Sequence, residues 1–171
     1  MRVISHRGNI NGPKSCKENH PDSILAALNQ GFDCEIDVWF IKSEFFLGHD
    51  FPEYKINRDF MWENGNLWIH CKDFGALEEL SCCKDLNNNV FYHNVDDYTI
   101  TSKGFVWAYP GKKVGRNCVI VVKDTFEYDC IEHKSIISGV CTDYPLDVQS
   151  KYLSSLDEGS LTTQVTASET A

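Results

Sequence analysis

The sequence predicts an α/β protein built on a parallel sheet, and three observations lead there. Residues 1–41 read strand, loop, helix, strand, which is a βαβ unit with parallel strands and a right-handed crossover. Cys118–Val122, CVIVV, has the unbroken apolar character of a strand buried on both faces. His6-Arg7-Gly8 places functional groups and a glycine turn at the end of an apolar run, as barrels and open α/β sheets present their chemistry.

Taken in order, residues 1–8 form the first strand, and the Gly-, Pro- and Asn-rich residues 9–21 a loop. A helix over residues 24–30 follows, with Asp22 or Ser23 as its cap and Gly31 as its stop. The next strand carries Glu35 and Asp37 two residues apart, so that both carboxylates share one face. The chain returns as Phe45-Phe46-Leu47 and ends at Gly48-His49-Asp50. Two oxygen ligands with an imidazole nearby are the ingredients of a hard-metal site with an acid or base beside it.

After a short helix near residues 59–62, Leu67–Cys71 reads as a strand on which His70 and Lys72 share a face. Residues 76–83 have a helical pattern, and residues 90–93, 105–109, 118–122 and 139–145 supply further strands and the exit turn Thr142-Asp143-Tyr144-Pro145. About seven strands result. From Lys151 the composition turns to Ser, Thr, Gly and Ala, which predicts one folded domain over residues 1–150 and a disordered tail over residues 151–171.

The net charge is −9 with a pI near 5.0, and residues 1–150 keep −7 of it. That acidity argues against nucleic acid or an anionic membrane as partner, and a bound phosphate must be held by a metal or a few convergent cations. No apolar run approaches spanning length and no leader pattern follows Met1, so no transmembrane segment and a cytoplasmic location are expected. The eight cysteines lack CxxC or zinc spacing and read as reduced, with Cys34, Cys71, Cys118 and Cys141 in the core.

Six landmarks in order, namely His6-Arg7-Gly8, Glu18-Asn19, Glu35-x-Asp37, His49-Asp50, Lys72 and Thr142-Asp143-Tyr144-Pro145, resemble the glycerophosphodiester phosphodiesterase family within the phosphatidylinositol-phospholipase-C-like barrels. The resemblance covers almost all of residues 1–145. It implies a TIM-type (β/α) barrel with its site at the C-terminal strand ends. His6 and His49 would be acid and base, Glu35 and Asp37 would hold a divalent metal (Mg²⁺, Ca²⁺ or Mn²⁺), and Arg7 and Lys72 would contact a small-molecule phosphodiester. The attacking group can be a hydroxyl of the substrate itself, so a lyase forming a cyclic phosphate is the rival activity. A silent phosphate-binding barrel is the rival from another class.

This sequence departs from the family pattern in three ways. His70 stands where a third carboxylate ligand is usual, which shifts preference from Ca²⁺ toward Mn²⁺ or Zn²⁺ if it coordinates. It serves either as ligand or as support behind the ligands, with Glu18 the other carboxylate candidate. Only 16 residues separate Asp50 from Leu67, too few for the insertion that usually covers the site. A homo-oligomer is one way to cover the mouth. Finally, seven strands in so short a chain imply a small, shortened or distorted barrel. Asp50, Trp107, Tyr109 and Asp143 are further site candidates. Trp39, Trp62, Trp68 and Trp107 are candidates to line a lipid or headgroup pocket, with core packing, facing outward to covering helices, the favoured reading for Trp39 and Trp68. His93 and His133 have no assigned partner.

Overall fold

The computed structural model describes residues 1–132 and 134–168, with side chains through residue 156. In chain order the first half comprises β1 (Arg2–His6), α1 (Pro21–Asn29), β2 (Asp33–Ile41), β3 (Glu44–Leu47), β4 (Tyr54–Ile56), α2 (Asp59–Glu63) and β5 (Leu67–Cys71). The second half comprises α3 (Phe74–Ser81), β6 (Asn89–Phe91), β7 (Tyr98–Ile100), β8 (Val106–Ala108), β9 (Cys118–Val122), α4 (Thr125–Asp129), β10 (Gly139–Thr142) and α5 (Pro145–Ser168).

All ten strands join one curled sheet in a mixed α/β fold. Seven of them, in the spatial order β8-β9-β10-β1-β2-β5-β6, are paired parallel. The curl is visible in its contents. Ile4, Trp68, Phe91, Trp107, Val119 and Cys141, from six different strands, meet in one buried cluster on the inner face. No ladder joins the outer strands β6 and β8 among the described residues. Their seam is bridged instead by the Phe91 and Trp107 rings, 4.6 Å apart, and by the Ser102 backbone N–H donating to the Val90 carbonyl at 2.7 Å.

β2 is the hub. Its nine residues pair with β1 on one side, and on the other with β5 along the lower half and antiparallel β3 along the upper half. The even-numbered Ile36 and Val38 face outward into a core shared with Ile24 and Ala27 of α1 and Ala76 and Leu80 of α3. Glu35 and Asp37 face inward by the same alternation. A second outer core packs Val3, Ile120, Val122 and Val140 against Tyr128 of α4 and Val148 of α5.

Several expectations need correction. The cap of α1 is His20, whose Nδ1 accepts the Asp22 N–H at 3.2 Å, because Pro21 occupies the first helical position. Strands β4 and β7 and helix α4 were not expected; each is three to five residues long, too short to show a period. Trp68 faces the interior, not the covering helices: it lies two residues before His70 on the same face, and its indole N–H reaches Asp33 at 3.0 Å. Helix α5 runs to Ser168, so the tail does not begin unstructured at Lys151. Val148 is fully buried and the Met1 ammonium donates to the Tyr152 hydroxyl at 3.0 Å, contacts invisible to a composition count. Residues 169–171 and His133 lie outside the described residues. All eight cysteines are free, and the four expected in the core are buried. Among the described residues no helix is long and apolar enough to cross a membrane.

Gly48 sets the turn that presents His49. Its φ of +146° and a virtual Cβ only 2.1 Å from the Phe51 carbonyl leave no space for a side chain. Gly48→Ala is expected to destabilise the protein by about 2 kcal/mol or more. Urea unfolding checks this, and an unchanged midpoint would contradict it.

Candidate metal centre and catalytic site

Asp37 is fully buried and surrounded by donors. Its Oδ2 accepts from the Asn19 amide at 2.9 Å and lies 3.0 Å from Arg7 Nε, while Oδ1 lies 2.9 Å from His70 Nδ1 and 3.4 Å from Lys72 Nζ. The Asp37 backbone N–H closes the loop by donating to Asn19 Oδ1 at 2.9 Å. Asn19 adopts a left-handed φ of 58°, which asparagine tolerates, to meet both groups. Burial alone would raise the Asp37 pKa, but the His70 contact and the Arg7 and Lys72 charges hold it far below the usual carboxylate range.

Glu35, two residues earlier on the same face, is treated differently. It is only 3% exposed, and its Oε2 has no hydrogen-bond partner. Burial and the neighbouring Asp37 charge push its pKa up. A buried carboxylate oxygen without a partner is expensive unless a cation meets it. The donor set supplies the rest: ligand atoms of Glu35, Asp37 and His70 lie within 4.8 Å of one another. His70 Nδ1, 2.9 Å from Asp37 Oδ1, is the nitrogen turned toward the carboxylates, while Nε2 faces the His93 carbonyl at 3.2 Å; donation from Nε2 to that carbonyl would free Nδ1 to ligate an ion in place of its contact with Asp37. These residues therefore fit a divalent ion. Glu18 stands outside the set, bridging Arg7 Nη1 and Asn9 Nδ2 at 3.1 Å each.

The two catalytic candidates are held unequally. His6 Nδ1 lies 2.9 Å from Asp143, which also accepts from Asn9 at 2.8 Å, while Nε2 points toward Glu35 Oε2 at 3.9 Å. Burial would lower the His6 pKa, yet the Asp143 bond and the Glu35 charge outweigh it and raise it above the ordinary imidazole value. His49 sits exposed on the turn after β3, its Nδ1 2.7 Å from the exposed Asp50. Partial burial, joined by the Arg7 and Lys72 charges, lowers its pKa despite Asp37 and Asp50. The turn is anchored below by the Trp39 indole on the Gly48 carbonyl at 2.6 Å.

His6, Arg7, Glu35, His49, His70 and Lys72 line one cavity of about 430 Å³ at the C-terminal strand ends, with Trp107 and Tyr109 on its far wall. A larger groove of about 790 Å³ lies on the outer surface between β9 and α4, but it contains none of the predicted site residues. Trp62 is remote from the cavity, packed under Arg58 on α2. Three contributors escaped the sequence reading. Asn9 ties Asp143 to Glu18, and His93 stacks on His70 with centroids 4.5 Å apart, where burial and the His70 and Lys72 charges push its pKa down to about 4. Lys123, the third, directly follows β9. The strand-end position of Lys123 was a signal that could have found it. No protein-family model matches the chain, and no curated protein matches it.

Asp37 and Glu35 should respond oppositely to neutralisation. Asp37→Ala removes the one carboxylate that both Arg7 and Lys72 contact and is expected to cost about 3–5 kcal/mol. A carboxyl whose folded pKa lies above its unfolded value destabilises the fold at neutral pH. Glu35→Gln is therefore expected to leave the metal-free protein as stable or more so while abolishing Mn²⁺ binding. Urea unfolding in chelator together with metal titration calorimetry decides both.

Proposed function

We propose that this chain is a metal-dependent phosphodiesterase, a shortened (β/α) barrel acting on a glycerophosphodiester or a related phospholipid headgroup. The observation that carries the reading is the cavity in which a buried carboxylate–histidine cluster with an unpartnered Glu35 oxygen faces two histidines of opposite pKa shift and two cations. A phosphodiester is a poor electrophile until its oxygens are neutralised. A divalent ion held by Glu35, Asp37 and His70 supplies that neutralisation, and the imidazole favours Mn²⁺ or Zn²⁺ over Ca²⁺.

The chain's own groups divide the proton work. His49, neutral at pH 7 because its pKa is lowered, takes the proton of the attacking hydroxyl as its oxygen bonds to phosphorus. His6, whose protonated form Asp143 favours, delivers its Nε2 proton to the leaving alkoxide as the second P–O bond breaks. Lys72 and Arg7 keep positive potential beside the phosphoryl oxygens. When the attacker is a hydroxyl of the substrate, the product is a cyclic phosphate, favoured by its intramolecular geometry. When it is water, hydrolysis results.

The direct test is cleavage of glycerophosphocholine, glycerophosphoethanolamine, a lysophospholipid and a chromogenic diester with chelator, Mg²⁺, Ca²⁺ and Mn²⁺. Turnover restored by Mn²⁺ is expected, with losses of at least about 10²-fold in His6→Ala and His49→Ala. A folded protein that binds metal but turns over nothing would favour the silent-barrel reading, and a persistent cyclic product the lyase. The pH profile adds an independent check. kcat/KM should rise as His49 loses its proton below the ordinary histidine range and fall as His6 loses its own above it. Asp143→Asn removes the bond that raises His6, so the alkaline limb should move to lower pH while the acid limb stays.

A further inference from the structure

Elsewhere on the cavity lining stand Asn94, Tyr109 and Lys123, after the ends of β6, β8 and β9, and they have no task in the phosphoryl chemistry. Sheet register fixes the place of Lys123. Thr142 pairs with both Val122 and Ser5, and His6 pairs with Glu35, so the row above runs Lys123, Asp143, His6, Glu35. Members of one row in a parallel sheet share a face. The 2.9 Å contact between Asp143 and His6 marks this row as facing inward. Lys123 thus lies three strands from Glu35, on the order of 14 Å along the sheet at ~4.8 Å per strand.

The other cations of the cavity are committed. Arg7 is paired with Asp37 and Glu18, and Lys72 with Asp37. Among the described residues the Lys123 ammonium has no ion pair or side-chain hydrogen bond; its backbone N–H donates to Glu127, whose carboxylate belongs to the separate outer groove. The acid next to it in the row, Asp143, is taken by His6 and Asn9. Among the described residues Glu35 is the only carboxylate lining the cavity, and it belongs to the metal cluster.

The far wall therefore offers a cation, an amide and a phenol, and no acid. An aromatic cage for a quaternary ammonium is missing too, since Trp107 is 4% exposed and stacked on Phe91. A carboxylate or second phosphate there gains a charge-assisted contact, whereas choline or ethanolamine meets like charge.

We propose that Lys123, with Asn94 and Tyr109, forms a headgroup subsite that selects phosphodiesters bearing a second anionic group over those bearing choline or ethanolamine. The proposal rests on the phosphodiester reading of the cavity and names its substrate class.

Matched probes test it. O-phosphoserine and phosphoethanolamine differ only by a carboxylate, as do glycerophosphoserine and glycerophosphoethanolamine. Calorimetry with Mn²⁺ present is expected to show O-phosphoserine binding about tenfold tighter, the scale of one charge-assisted contact. Lys123→Ala should bring the two within about twofold of each other, and Lys123→Glu should reverse their order. Lys123 is exposed, so its truncation leaves the core intact. Equal binding in the wild type, binding of neither probe, or an equal loss for both in Lys123→Ala would overturn the subsite, the last by making Lys123 a phosphate contact. Turnover of the two diesters keeps the failures apart. A Lys123-dependent preference without cleavage of either diester sinks the phosphodiesterase reading and keeps the subsite. Equal cleavage of both, with equal monoester binding, does the reverse.

Discussion

The site depends on the way Asp37 is buried. A carboxylate removed from water needs partners for its charge, and here Asn19, Arg7, His70 and Lys72 surround it from three segments of the chain. Each of those segments is positioned in return. Arg7 is drawn down onto the sheet at the end of β1, the loop before α1 is pinned through Asn19, and β5 is set in register so that His70 lies opposite Asp37. The interaction is therefore structural before it is chemical. Because Asp37 absorbs the available donors, Glu35 beside it is left with a free oxygen, and that imbalance between two carboxylates on one strand face creates the place for a cation.

Much of this was legible in the sequence because strand periodicity is rigid. The spacing Glu35-x-Asp37 and His70-x-Lys72 puts each pair on one face whatever the rest of the fold does, and parallel pairing of β2 with β5 then brings the two faces together. The same rule places Trp68 inside, two residues before His70, where the preference of tryptophan for packing under helices would put it outside. Periodicity outranks residue type when the two disagree.

What stayed hidden was contact between segments distant in the chain. Asn9 lies in a loop whose composition says only that it is a loop, yet its amide joins Glu18 to Asp143, 134 residues away. His93 acquires meaning only once β6 is set beside β5 and the two imidazoles stack. The start of the tail was misjudged for a related reason: Val148 and Tyr152 are two residues in a polar stretch, too few to shift a composition but enough to seat α5 against β1 and the Met1 ammonium. Three-residue strands such as β4 and β7 leave no period to read.

The open seam between β6 and β8 also explains how so short a chain can carry such a site. In the strand order β8-β9-β10-β1-β2-β5-β6, His6, Arg7, Glu35 and Asp37 lie on or just after β1 and β2 at the centre of the curl, His70 and Lys72 follow on the neighbouring β5, and the seam falls at the two ends of the order. A ring must be complete to have any geometry at all, because every strand constrains every other through closure. An arc has no such requirement, and can lose material from its ends while its middle keeps its shape. Economy in chain length and fidelity of the site are thus compatible here, since His6, Arg7, Glu35 and Asp37 sit at the middle of the arc and not at its ends.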